Sequence, residues 1–184
     1  MAGRGERGHS RMKLPRTLRL DPSDRFVFAR AAEPGEWAVP GGFAFHGADP
    51  ASLPRKALVG FRSGFLGLGS FGFSTLVEVA EASAAEHAAA LAALAAHLCD
   101  VHGAPDAAIA EAAAADELAF AASVAELPVG TVIALHRSLE DGEIRERFRS
   151  LSARADRPAP VFALVREDDP EPDAVDLRQL GGLA

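Results

Sequence analysis

Between Phe61 and Val79 the chain carries Gly64, Gly67, Gly69 and Gly72, then runs straight into an alternating apolar segment. A helix interior does not tolerate that density, because each glycine costs about 1 kcal/mol against alanine. The glycines instead mark a corner where the backbone needs positive φ or close approach to a neighbour. From Phe71 onward, Phe71, Phe73, Thr75, Val77 and Val79 fall on one face of an extended chain. Gly72, Ser74, Leu76, Glu78 and Ala80 fall on the other. The spacing predicts a strand over 71–80 in the middle of a sheet, since it is apolar on both faces.

Upstream, Leu18 and Leu20 alternate with Thr17 and Arg19, and Asp21-Pro-Ser-Asp24 is a turn. Phe26 and Phe28 flank Val27 as a second strand. Trp37 and Val39 lead through Pro40-Gly-Gly42 to Phe43 and Phe45 as a third, with the proline placing it at an edge or a bulge. The first third therefore reads as a three-stranded antiparallel meander. A helix follows, capped from Asp49-Pro50 or Ser52, with Leu53, Ala57, Phe61 and Phe65 at i+4 spacing.

Downstream, Ser83-Ala-Ala-Glu86 is a capping box opening a helix whose stripe is Leu91, Leu94, Leu98 and Val101, stopped by Gly103 and Pro105. An alanine-rich helix spans about 105–127, with Phe120, Val124 and Leu127 on one face. After Pro128, Val132, Ala134 and His136 alternate with Ile133, Leu135 and Arg137. Asp141-Gly142 is the pair a type I′ hairpin favours. That turn sets a register in which Leu139 opposes Ile144, Arg137 opposes Glu146 and Leu135 opposes Phe148. On the other face Ser138 opposes Arg145, His136 opposes Arg147 and Ala134 opposes Arg149. A second reading stays open at this point, because Ile144, Phe148 and Leu151 also fit a helix over 143–151. Val161–Val165 reads as a further strand.

The expected architecture is α+β: an antiparallel or mixed sheet of about six strands with about three helices packed mainly on one face. Residues 1–12 read as a disordered leader, with Met12 a candidate start. Residues 13–167 read as a single domain and 168–184 as an acidic flexible tail.

Composition narrows the function classes. A net charge of −7 disfavours nucleic acid as a general partner. No apolar run approaches the roughly 18 residues a membrane span needs. The N-terminal segment is basic but lacks the apolar stretch of a signal peptide, and a single cysteine, Cys99, allows no internal disulfide. Together these point to the cytoplasm. Arginine dominates the basic residues, with only Lys13 and Lys56 as lysines. That bias fits a GC-rich genome, so abundant arginine says little about anion binding.

Familiar chemistries meet geometric objections. Gly67-Leu-Gly69-Ser-Phe-Gly72 spells G-x-G-x-x-G, but a dinucleotide site needs strand, glycines, then helix, and here a helix precedes and a strand follows. Ser70 fails the nucleophile elbow because position 68 is Leu. His87 and His102 lie about 22 Å apart along one helix at 1.5 Å per residue, too far to share a metal. Cys99 and His102 lack a third ligand. No metal or other cofactor is expected; His102 reads as a residue favoured by the helix C-terminal dipole and Cys99 as a small core residue.

The sharpest cluster depends on the hairpin. His136, Arg145, Arg147 and Arg149 would share one face, a basic strip on an acidic protein suited to a phosphate, a carboxylate or an acidic partner. The plainer reading is a solvated face whose arginines pair with Glu140, Glu143 or the acidic tail.

Leu14–Asp24, Phe61–Gly67, Ser70-Phe-Gly72 and Glu140–Arg145 resemble a family of small bacterial proteins of unknown function, over most of the chain from Met12 to about Leu151. The resemblance implies a start at Met12 and genes neighbouring those of a lipoate-ligase-like protein and metalloenzyme maturation factors. It supplies no catalytic residues. The leading expectation is a non-catalytic accessory or interaction protein, linked to metalloenzyme or lipoate-related maturation, with a protein partner or a second copy. The alternative is a small-anion-binding protein or enzyme, with His136 as acid–base and the arginines as a clamp. An RNA contact through the same strip is disfavoured by charge.

Overall fold

The computed structural model describes residues 12–151. Strand β1 (Met12–Leu18) opens the chain and is followed by a single helical turn, α1 (Asp24–Val27). The expected strand at 26–28 is thus a helical turn. Phe28 is buried while Phe26 is 72% exposed, which a shared strand face would forbid. The cause lies at Asp24, a buried carboxylate that accepts from Thr75 Oγ1 at 2.8 Å and from Thr75 N and Ser74 Oγ at 3.3 Å. In a helical turn Asp24 and Phe28, four apart, both point inward.

Strand β2 (Ala38–Val39) follows, then a 3-10 turn over Gly42–Phe45 where a continued strand was expected. Gly41 at φ 73° swings the chain out of the sheet. Phe43 then meets the His102 ring, while Phe45 turns into the core against Phe61 and Phe73. Helix α2 (Arg55–Ser63) stops two residues short of Phe65, the last residue of the expected i+4 series, because Phe65 belongs to β3 (Phe65–Gly67).

The glycine corner is a tight hairpin between β3 and β4 (Phe73–Ser74), and β5 (Leu76–Ala82) starts one residue later. The expected strand 71–80 is therefore broken twice. Phe71 sits at φ 52°, outside any strand. At Thr75 the amide turns to the Asp24 carboxylate instead of a neighbouring strand. Val77 and Val79 remain fully buried in the middle of a sheet, as expected for that half.

Helix α3 (Ala84–Asp100) carries the capping box, with Ser83 Oγ accepting from Glu86 N and Glu86 Oε2 accepting from Ser83 N. Donation to that carboxylate from Ser83 N at 2.9 Å, and from Ser83 Oγ at 2.7 Å, holds the Glu86 carboxyl below its ordinary range. Helix α4 (Ala107–Val124) starts at Asp106, whose side chain accepts from Ile109 N. Its buried stripe is Ala110, Ala114, Leu118 and Ala121, whereas Phe120 is 41% exposed. Small residues at the contact let α3 and α4 approach closely, with Ala90, Leu94 and Leu98 opposite.

Strands β6 (Val132–Glu140) and β7 (Glu143–Leu151) complete the described chain. Four helices and seven strands lie among the described residues, so the class is α+β. The strands divide into two antiparallel sheets, β1-β5-β6-β7 and β2-β3-β4. An isolated bridge between Arg16 and Trp37 joins the chain around them. One buried group gathers Leu14, Val39 and Leu66 under α3 and α4; a second gathers Phe65, Val77, Val79, Ile133 and Leu135. The leader, the strand expected at 161–165 and the acidic tail lie outside the described residues.

Candidate functional site

The hairpin forms as the Asp-Gly pair dictates. Asp141 and Gly142 have φ of 54° and 80°, the two positive values of a type I′ turn. The register is the expected one on both faces: Leu139 with Ile144, Arg137 with Glu146, Leu135 with Phe148, Ser138 with Arg145, His136 with Arg147, Ala134 with Arg149. The helical alternative for 143–151 is excluded.

His136, Arg145, Arg147 and Arg149 therefore share one exposed face. Arg145 Nη2 lies 3.0 Å from Glu143 Oε2, and Arg147 Nη2 lies 3.0 Å from Glu140 Oε1, which also accepts from Ser138 Oγ. Such exposed pairs contribute about 0–1 kcal/mol and exchange readily with an incoming anion. Among the described residues neither His136 nor Arg149 has an ion-pair partner.

Only Leu76–Glu78 of β5 pair with β6, at Val132–Ala134, so the outer half of the hairpin extends past the sheet. Arg137 anchors it. This guanidinium is 1% exposed, and each of its nitrogens has a partner. Nε donates to Glu146 Oε1 at 2.8 Å, Nη1 to the Phe61 carbonyl at 2.7 Å and Nη2 to the Pro40 carbonyl at 2.5 Å. The Phe45 ring lies 5.6 Å from its carbon. One side chain thus fastens β6 and β7 to the end of α2 and to the segment after β2.

Two concavities flank this anchor. A cleft of about 670 Å³ lies between residues 42–49 and the hairpin tip at Leu139 and Ile144. A groove of about 370 Å³ runs between Glu117 and Phe120 of α4 and Ile144–Glu146 of β7. Glu117 accepts from Gly41 N at 2.9 Å. Its burial raises the carboxyl above the ordinary range, and the Glu146 charge adds to this, against the pull of the Gly41 amide and Arg137.

The glycine-rich loop already holds an anion of its own. Glu36 Oε2 accepts from Gly69 N at 2.9 Å and Ser70 N at 2.8 Å, and Glu36 Oε1 accepts from Glu33 N. A Cβ on Gly67 would stand 2.5 Å from Glu36 Oε2, and one on Gly72 would stand 2.4 Å from the Ala31 carbonyl carbon. The amides that the G-x-G-x-x-G spelling offers to a phosphate are thus turned to an internal carboxylate. Strands lie on both sides of the loop, in place of the strand-to-helix order.

Of the histidines weighed from sequence, His87 is part-buried on α3 and His102 is exposed with its ring 5.2 Å from Phe43. His97, which the spacing argument passed over, stacks on Phe71 at 3.8 Å and meets His102 edge-on at 5.1 Å. Burial first, then the nearby His102 and Arg30 charges, lowers its basicity, against Asp100. Cys99 packs at the core boundary. Among the described residues no group of three metal-ligating side chains converges, and no helix is long and apolar enough to cross a membrane.

Sequence reasoning paired Arg137 with Glu146 but saw neither its burial nor the contributions of Pro40, Phe61 and Glu117. Those residues lie 97, 76 and 20 positions away, and local periodicity carries no trace of them. No curated protein and no solved structure matches the chain. Residues 12–167 match the model of a family of unknown function, DUF6505, and the chain belongs to that family.

Proposed function

We propose that this is a non-catalytic cytoplasmic interaction protein that engages an acidic partner through the outer face of the β6–β7 hairpin. The observation that carries the reading is the strip itself. Three arginines and a histidine stand in register on one exposed face of a protein with net charge −7. Electrostatic complementarity of that kind steers and orients a partner. In the concavities beside the strip, Asp49, Glu117, Glu143 and Glu146 outnumber the single guanidinium of Arg145, which disfavours a small anion there. Arg137, the one buried arginine of the hairpin, is held by the fold and is not free to clamp a ligand. The family resemblance directs the search for the partner to metalloenzyme and lipoate-related maturation.

A thermal-shift titration with polyglutamate and, separately, inorganic phosphate tests this against the small-anion alternative. Polyglutamate stabilises the protein in a salt-dependent way, and the R147E/R149E double variant loses that stabilisation. Stabilisation by phosphate alone, abolished by Arg147→Ala, would transfer the strip to a small-anion site. No response to either would remove the strip from the account.

A further inference from the structure

We infer that β7 takes an extended partner segment as an added strand, one whose alternate residues are acidic over Arg145, Arg147 and Arg149 and apolar over Ile144 and Phe148. This rests on the interaction reading and specifies its partner. In a two-residue I′ hairpin, Glu140 and Glu143 form a hydrogen-bonded pair, and bonded and non-bonded pairs then alternate. The amides of Ile144, Glu146, Phe148 and Ser150 consequently point away from β6. Strand β7 is the last of its sheet, and among the described residues no backbone bond reaches those four amides. A nine-residue edge with open donors and acceptors is a template for strand addition.

The side chains define what fits. On one face stand the three arginines. On the other, Ile144 borders the groove beside α4, and Phe148 lies with its ring 6.0 Å from that of the exposed Phe120. A second copy of this chain is a poor occupant. Antiparallel pairing of two β7 strands centred on Arg147 sets Arg145 opposite Arg149 and Arg147 opposite itself, and like charges opposed across strands destabilise the pair. An acidic strand reverses the sign of every one of those cross-strand terms.

The test uses the full chain and three synthetic octapeptides: alternating glutamate and valine, alternating lysine and valine, and the glutamate peptide N-methylated at every second residue. The glutamate–valine peptide binds by fluorescence anisotropy and slows exchange of the Ile144, Glu146, Phe148 and Ser150 amides. The lysine peptide, the N-methylated peptide and the R147E/R149E variant each weaken binding by about tenfold or more. Equal binding of the N-methylated peptide would overturn strand addition while leaving acidic-partner recognition standing. Equal binding of the lysine peptide, or no binding of any, would overturn both. Protection of the four amides before peptide is added would also overturn the inference, because another part of the chain or a second copy would already occupy the edge.

Discussion

Replacing Arg137 by methionine removes the side chain that ties the hairpin to the rest of the body, and the structure sets the expected cost. The Glu146 carboxylate, 13% exposed, loses its 2.8 Å partner. The Phe61 and Pro40 carbonyls lose donors at 2.7 and 2.5 Å. Breaking a buried ion pair from one side costs about 3–5 kcal/mol, and each orphaned buried carbonyl about 1–3 kcal/mol more. Water entering from the cleft beside Gly42 solvates the two carbonyls and offsets nearly all of the second contribution, so about 3–5 kcal/mol is the expected net loss. In a protein of this size each kcal/mol moves Tm by about 2–4 °C, so the midpoint falls by about 6–20 °C. Urea unfolding followed by the fluorescence of Trp37, the single tryptophan, measures the same loss isothermally. Arg149→Met is the control and shifts stability by less than about 0.5 kcal/mol. The R137M/E146L double variant recovers part of the loss, since no unpaired charge then remains buried. An R137M protein no less stable than R149M would refute the anchoring role.

Three further outcomes follow from the same contacts. Glu117 has a folded-state pKa above its unfolded value, so its stabilising contribution is present below about pH 4.5 and is lost as pH rises through the raised value. Glu117→Gln, which keeps an acceptor for Gly41 N, is therefore more stable than wild type at neutral pH. The advantage shrinks toward pH 4.5, checked by urea melts across that range. Gly72→Ala drives a Cβ against the Ala31 backbone and destabilises by about 1–3 kcal/mol; Gly69→Ala, which meets only the Glu36 side chain, costs less. His97 has a folded-state pKa below its unfolded value, so the protein loses stability as pH falls from about 6.5 through the lowered value. His97→Phe abolishes that slope in thermal melts while keeping the stack on Phe71.

What could be read from sequence was what short-range chemistry fixes. The Asp141-Gly142 turn set every cross-strand pair of the hairpin, and Ser83 with Glu86 set the start of α3, because both devices act within four residues. Phe26/Phe28 and Phe43/Phe45 misled because a single pair of apolar residues two positions apart does not distinguish a strand from a helical turn. The deciding partners, Asp24 to Thr75 and Gly41 to Glu117, are 51 and 76 residues apart. The glycine run was rightly identified as a place of close approach, but the carboxylate it encloses comes from Glu36, more than 30 residues upstream. The basic strip was visible once the hairpin was drawn; the arginine beneath it was not, since nothing local marks Arg137 as buried and its three neighbours on the strip side as exposed.

The most direct measurement is site-specific photocrosslinking in the cells that make the protein. A photoreactive residue at position 149, on the strip, and another at position 88, on exposed α3, report on the two surfaces in parallel. The account predicts a discrete adduct with one acidic partner at 149, lost when Arg145 and Arg147 are reversed to glutamate, and none at 88. Equal labelling at both positions, or an adduct at 149 that survives the charge reversal, would contradict it.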